Sequence, residues 1–83
     1  MALSMVVGAQ MRAGRAALKW SIEDLAKKSG VGVRTIIRLE AADGIPRSRT
    51  HTLLAIKLAM EVAGIEFIGT PEDGPGIRVR NKR

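Results

Sequence analysis

The stretch SIEDLAKKSGVGVRTIIRLE, residues 21–40, restricts the fold more than any other part of the chain. Ser21 can accept a backbone N–H as an N-cap, and Asp24, three positions on, can return the bond, so SIED opens a helix with a capping box. Glu23 and Asp24 then sit at the positive end of the helix dipole, and Lys27 and Lys28 at the negative end. Gly30 suits the left-handed backbone that stops this helix near Ser29 and turns the chain sharply. A second helix is expected to follow almost at once. Leu25 and Ala26 are the inward residues of the first helix, and Val31, Ile36 and Leu39 recur at inward spacings around the second. Ala26 matters because helices meeting at about 90–120° across a short turn tolerate only a small side chain at closest approach. Gly32, Val33, Arg34, Ile37 and Arg38 are left on the outer face of the second helix, a face with two arginines and no acid.

Inward, small and turn residues in this order make a helix-turn-helix, and these residues resemble its Cro and phage-repressor type, a family that includes the xenobiotic-response regulators. The resemblance extends to QMRAGRAALKW (residues 10–20), similar to the family's first helix. It continues in Glu40 and the stretch Ala41 to Arg47, similar to the end of the recognition helix and its loop. Thr52 to Gly64 is similar to the packing helix behind it. The resemblance implies a mainly α, four-helix repressor-like domain over residues 8–64 that binds double-stranded DNA. It also implies that Arg15 pairs with Glu40, tying helix 1 to helix 3, and that occupying an operator represses by exclusion. The chain departs from the family at two positions. Ile22 stands where a glutamine is frequent, and Gly32 where a hydrogen-bonding cap is frequent, so sequence reading is expected to lean on Arg34 and Arg38.

Around this motif, helix 1 is expected from about Gly8 to Lys19, with Met11 and Leu18 inward, Gly14 allowing close approach and Trp20 closing the helix as core filler. Val7 cannot cap through its side chain, so either Ser4 caps a longer helix or the end frays. In AADGIPRSR, Gly44 and Pro46 break helix 3 and Ile45 is expected to plug the core. Helix 4 should run from Arg49 or Thr50 to Ala63, ended by Gly64, with Leu53, Ile56, Met60 and Ala63 inward. Leu54, Leu58 and Val62 form a second apolar stripe, and one surface helix of a monomer needs only one. That stripe is the expected homodimer contact. Residues 65–80 read as two short strands, IEFIG and IRVR, around a long loop rich in Gly and Pro. This β-hairpin or extended arm should pack on helix 4 or pair across a subunit interface, because a lone hairpin is marginal in water. Residues 81–83 read as a frayed basic tail.

Length and charge set the remaining bounds. With 83 residues, one domain is the limit and burial against a partner helps so short a chain. The net charge of +6 is concentrated at the end: Arg78, Arg80, Lys82 and Arg83 lie in the last six positions, leaving ten Lys and Arg against eight Asp and Glu in residues 1–77. The arginines on the outer face are therefore better evidence for nucleic acid than the bulk charge. No apolar run is long enough to span a membrane, and MALSMVV lacks the build of a signal peptide, so a cytoplasmic protein is expected. Zero cysteines exclude a disulfide framework and a zinc finger.

Arg34 and Arg38 lie one helical turn apart and can face one groove, where a guanidinium can hold guanine O6 and N7 together. A solvated basic face is the alternative. Val33 and Ile37 suit thymine methyl groups, or burial against a subunit or helix 2. Arg47 suits a phosphate or the minor groove, against a solvated loop. Arg49 suits the same, or shields the start of helix 4. Ser21 can cap helix 2 and also touch a phosphate, and Gly32 can offer its N–H to one. His51 stands alone as a solvent-facing residue. No metal site, cofactor site or catalytic constellation is expected: Glu23 with Asp24 and Glu72 with Asp73 are explained by a helix start and a turn, and no Gly-rich loop follows a strand. The rival is a protein-interaction module, antitoxin-like, that keeps the scaffold without reading bases.

Overall fold

The computed structural model describes residues 6–42 and 44–80, which form four helices followed by a two-stranded antiparallel hairpin. The helices are α1 (Gly8–Ala17), α2 (Ile22–Ser29), α3 (Val33–Glu40) and α4 (Thr50–Val62), and the strands are β1 (Ile65–Thr70) and β2 (Asp73–Val79). Ser4 and the tail at 81–83 lie outside the described residues.

The capping box opens α2 as its residues require: the Asp24 N–H donates to Ser21 Oγ at 3.0 Å, and the Ser21 N–H to Asp24 Oδ2 at 2.9 Å. Asp24 is held below the ordinary carboxylate range, first by the Ser21 N–H and then by its hydroxyl. Gly30 adopts φ 78° and ends the helix, its N–H donating to the Ala26 carbonyl at 2.8 Å. Val31 therefore sits in the turn, half-buried, and α3 begins two residues beyond it.

α1 stops at Ala17, earlier than its apolar pattern suggests. Lys19 takes a left-handed φ of 59°. The Trp20 N–H then reaches back to the Arg15 carbonyl and the Lys19 N–H to the Ala16 carbonyl, both at 3.0 Å, the paired bonds of a Schellman turn. Trp20 is half-buried against the core, with Lys28 Nζ 5.6 Å from its ring centroid. At the other end of α1 no side chain caps the helix, but Gln10 at the third position reaches back, its Oε1 accepting the Val7 N–H at 2.9 Å.

Val6, Met11, Leu25, Ile36, Leu39, Leu53, Ile56, Met60 and Ile65 make the buried core. Two glycines set how closely α1 approaches its neighbours. A Cβ at Gly14 would lie 2.8 Å from Met60 Sδ, and one at Gly8 would lie 2.5–2.9 Å from the carbonyls of Ala42, Glu40 and Leu39. The start of α1 is thereby set against the end of α3.

Among the described residues of the α3–α4 connector the buried one is Pro46, whereas Ile45 is 43% exposed and does not plug the core. Neighbouring side chains of an extended segment face opposite ways, so with Pro46 turned inward Ile45 and Arg47 turn out. The hairpin also differs from its expected form. The strands run through most of the anticipated loop, and only Pro71 and Glu72 turn the chain between Thr70 and Asp73, which pair. An irregularity between Ile68 and Thr70 absorbs the extra residue.

The hairpin packs β2 on α1 and β1 on α4. Gln10 fastens it: Nε2 donates to the Ile68 carbonyl at 3.1 Å and to the Gly76 carbonyl at 2.8 Å, one from each strand. Nearer the open end of the hairpin Glu66 accepts from Arg78 Nη1 at 3.0 Å and Arg80 Nε at 2.9 Å. These cations, Arg80 foremost, hold its carboxyl below the ordinary range. Two of the four terminal basic residues are therefore engaged within the fold.

Candidate nucleic-acid interface

α3 divides cleanly by exposure. Ile36, Leu39 and Glu40 are buried, while Arg34, Ile37 and Arg38 are exposed and Val33 is half-buried at the first turn. Ile37 is 50% exposed, an apolar cost in water that a partner surface would remove. Gly32 is the N-cap, exposed and without a side-chain bond to the helix, so the first backbone N–H groups of α3 are left to an outside acceptor.

The inner end of α3 is fixed by two arginines of α1. Arg15 donates from Nε to Glu40 Oε2 at 2.8 Å and from Nη2 to Glu40 Oε1 at 2.9 Å, a bidentate pair, and from Nη1 to the Trp20 carbonyl at 3.1 Å. The hydrogen bond to Glu40 raises the Arg15 pKa above its ordinary value. Arg12 Nη1 donates to the Glu40 carbonyl at the C-terminal end of the helix. Glu40 is almost fully buried, at 4% exposure, yet all its polar atoms have partners. Arg12 and the hairpin bonds of Gln10 leave no local spacing to read, since their partners lie 28, 58 and 66 residues away; only the bond of Gln10 to the Val7 N–H, three positions back, is local.

The outer arginines differ. Among the described residues, the side chains of Arg34, Arg47 and Arg49 make no hydrogen bond or ion pair. Arg38 Nη1 donates to the Arg47 carbonyl at 2.7 Å, joining α3 to the connector. Arg49 is the N-cap of α4, and its side chain gives that helix no cap bond. A cation at the positive end of a helix dipole opposes the helix, so shielding the start of α4 is a poor account of it.

Between the α2–α3 turn and the start of α4 lies a cleft of about 360 Å³, lined by Ser29 to Gly32 and Thr35 on one side and by His51, Thr52 and Ala55 on the other. The first turns of α3 and α4 share this cleft, and neither start has a side-chain cap. Ser21 is exposed at the start of α2, its hydroxyl oxygen accepting the Asp24 N–H.

Away from this surface, Leu58 is 49% exposed, Val62 70% exposed and Leu54 half-buried. Leu58 and Val62 border a shallow groove with Ala55, Ala59, Lys28 and Ser29. No helix among the described residues is long and apolar enough to cross a membrane, and among them no group of His, Cys, Asp and Glu could hold a metal ion.

A family model described as helix-turn-helix matches residues 11–62, more than half of the chain. No curated protein matches it.

Proposed function

The chain belongs to the helix-turn-helix family of the Cro and phage-repressor type, whose members are DNA-binding regulators, and from that premise we propose that it binds a specific double-stranded DNA sequence as a homodimer and represses by occupying its operator. Helix α3 enters the major groove, with Arg34 holding a base edge and Val33 and Ile37 against thymine methyl groups. Arg47, Arg49, Ser21 and the N–H of Gly32 meet the sugar-phosphate backbone, which sets the register of α3 without reading sequence.

The observation that carries this reading is the outer face of α3. An uncommitted guanidinium stands beside an exposed isoleucine on a short helix, with no acid on that face. A merely solvated face gains nothing from Ile37, whereas a groove floored by bases uses both residues. The second apolar stripe on α4 supports a second copy of the chain: Leu58 lies exposed between Ala55 and Ala59, small residues that leave room for the same leucine of a partner.

Selection of bound sites from random double-stranded DNA tests the proposal. The expected result is an approximately two-fold symmetric site with half-site centres about 34 Å apart, or a multiple of that spacing. Recovery of no preferred sequence would end the reading. Leu58→Glu is expected to yield monomers in sedimentation with the helical content kept. A wild-type chain already monomeric at tens of micromolar would remove the dimer from the account.

A further inference from the structure

Arg38 follows Arg34 by one turn, and its place on α3 alone would make it a second base reader. Its geometry points elsewhere. A guanidinium that reads guanine aims two N–H groups at O6 and N7 together. One Nη of Arg38 is spent on the Arg47 carbonyl of its own chain, at 2.7 Å, which turns the guanidinium toward the connector. That carbonyl belongs to a segment with little else to hold it. Among the described residues, this is the only hydrogen bond made to the backbone of residues 45–48, and Pro46 is the only buried side chain in that stretch. The connector is thus tied at the Gly44 carbonyl, which accepts the Gly8 N–H of α1 at 3.4 Å, and beyond it at two neighbouring points, the buried Pro46 and the Arg47 carbonyl on α3.

We infer that Arg38 is a positioning residue. It holds the connector against α3 so that the Arg47 side chain reaches the DNA backbone in register with Arg34, and it reads no base itself. The last turn of α3 suits it, because a cation there is favoured by the helix dipole and stays charged while it donates. This inference rests on the reading of α3 as the recognition helix. That reading fails if the wild-type chain selects no DNA sequence, whereas the test below starts from a selected site and bears on Arg38 alone.

The test is a double-mutant cycle on the full chain, with binding measured on the selected site and on its single base-pair variants, and with melting followed in parallel. Arg38→Ala is expected to weaken binding to every sequence alike, roughly three- to tenfold, with the ranking of base pairs and the melting temperature unchanged. Arg38→Lys keeps a donor for the carbonyl but loses the rigid planar fork of the guanidinium, so it should recover most of that loss. Arg47→Ala should cost less in the Arg38→Ala background than in the wild type, the sign of a shared role. A relaxed preference at one base pair in Arg38→Ala, additive losses in the double variant, or undiminished binding by Arg38→Ala would each overturn the inference.

Discussion

On α1, Arg15 and Arg12 give their N–H groups to acceptors of the same chain: the Glu40 carboxylate, the Trp20 carbonyl and the Glu40 carbonyl. On the outer face of α3 and in the connector after it, the side chains of Arg34, Arg47 and Arg49 give theirs to none among the described residues. The residue type is the same, and what separates the two sets is the supply of acceptors. The seam between α1 and α3 brings one buried carboxylate and two backbone carbonyls within reach, so cations there are consumed in joining helices. The outer face has no acid within α3 before the buried Glu40, so Arg34 keeps its donors uncommitted, and Arg38 finds only a backbone carbonyl, that of Arg47. A basic chain can therefore hold arginines that are purely architectural, and partner status rather than count separates the two kinds. The hairpin repeats the lesson, since Arg78 and Arg80 are engaged by Glu66.

Substitutions should separate the two sets. Glu40→Ala removes the shared acceptor of Arg15 and leaves that guanidinium partly buried. A loss of about 2–3 kcal/mol in unfolding free energy is expected, at the low end for a broken buried pair because Arg15 retains some water. Its base-pair preferences, measured below the lowered melting point, should match the wild type. If they shift instead, the seam is not purely architectural. Arg49→Ala is the opposite case: melting should stay the same or rise slightly, since a cation leaves the positive end of α4. DNA affinity should fall about equally for all sequences, and the slope of log K against log salt should shrink by about one. A drop in melting temperature would move Arg49 into the architectural set.

The smallest expected effect is of pH. Asp24 and Glu66 both titrate below their ordinary values in the folded chain, Asp24 through the Ser21 N–H and Glu66 chiefly through Arg80. A lowered folded pKa adds stability that is present above the unfolded value, about 4 for a carboxyl, and is lost as pH falls through the folded one. Melting temperature should thus be flat with pH near neutrality and fall below about pH 4. The fall should be shallower in an Asp24→Asn/Glu66→Gln double variant, and an equal fall would assign the acid sensitivity to other groups.

How far these features could be read from the chain depended on how far apart the partners lie. The α2 capping box joins residues three apart, and the Gly30 turn is a property of one residue, so both were legible. The inward set Leu25, Ile36, Leu39, Leu53, Ile56 and Met60 was legible from spacing alone, because a helix repeats locally. Gln10 could be read this way only for its bond to the Val7 N–H three residues back. Its amide serves carbonyls 58 and 66 residues away, and no periodicity marks such a pairing. Lys19 ends α1 with a left-handed turn that glycine usually signals, so the pattern overran it. Ile45 and Pro46 were exchanged because hydropathy ranks isoleucine inward, whereas in an extended connector whichever neighbour is anchored turns the other out. On the candidate interface the residues were legible as a face. The tie from Arg38 to Arg47 was not, since it depends on where the connector returns.

The measurement that bears most directly on the central claim is the affinity of Arg34→Ala for the selected site and for that site changed one base pair at a time. A loss of about 1–3 kcal/mol on the selected site is expected, with an unchanged melting temperature and relaxed preference at one base pair per half-site. Binding equal to wild type, with the same ranking of base pairs, would contradict it.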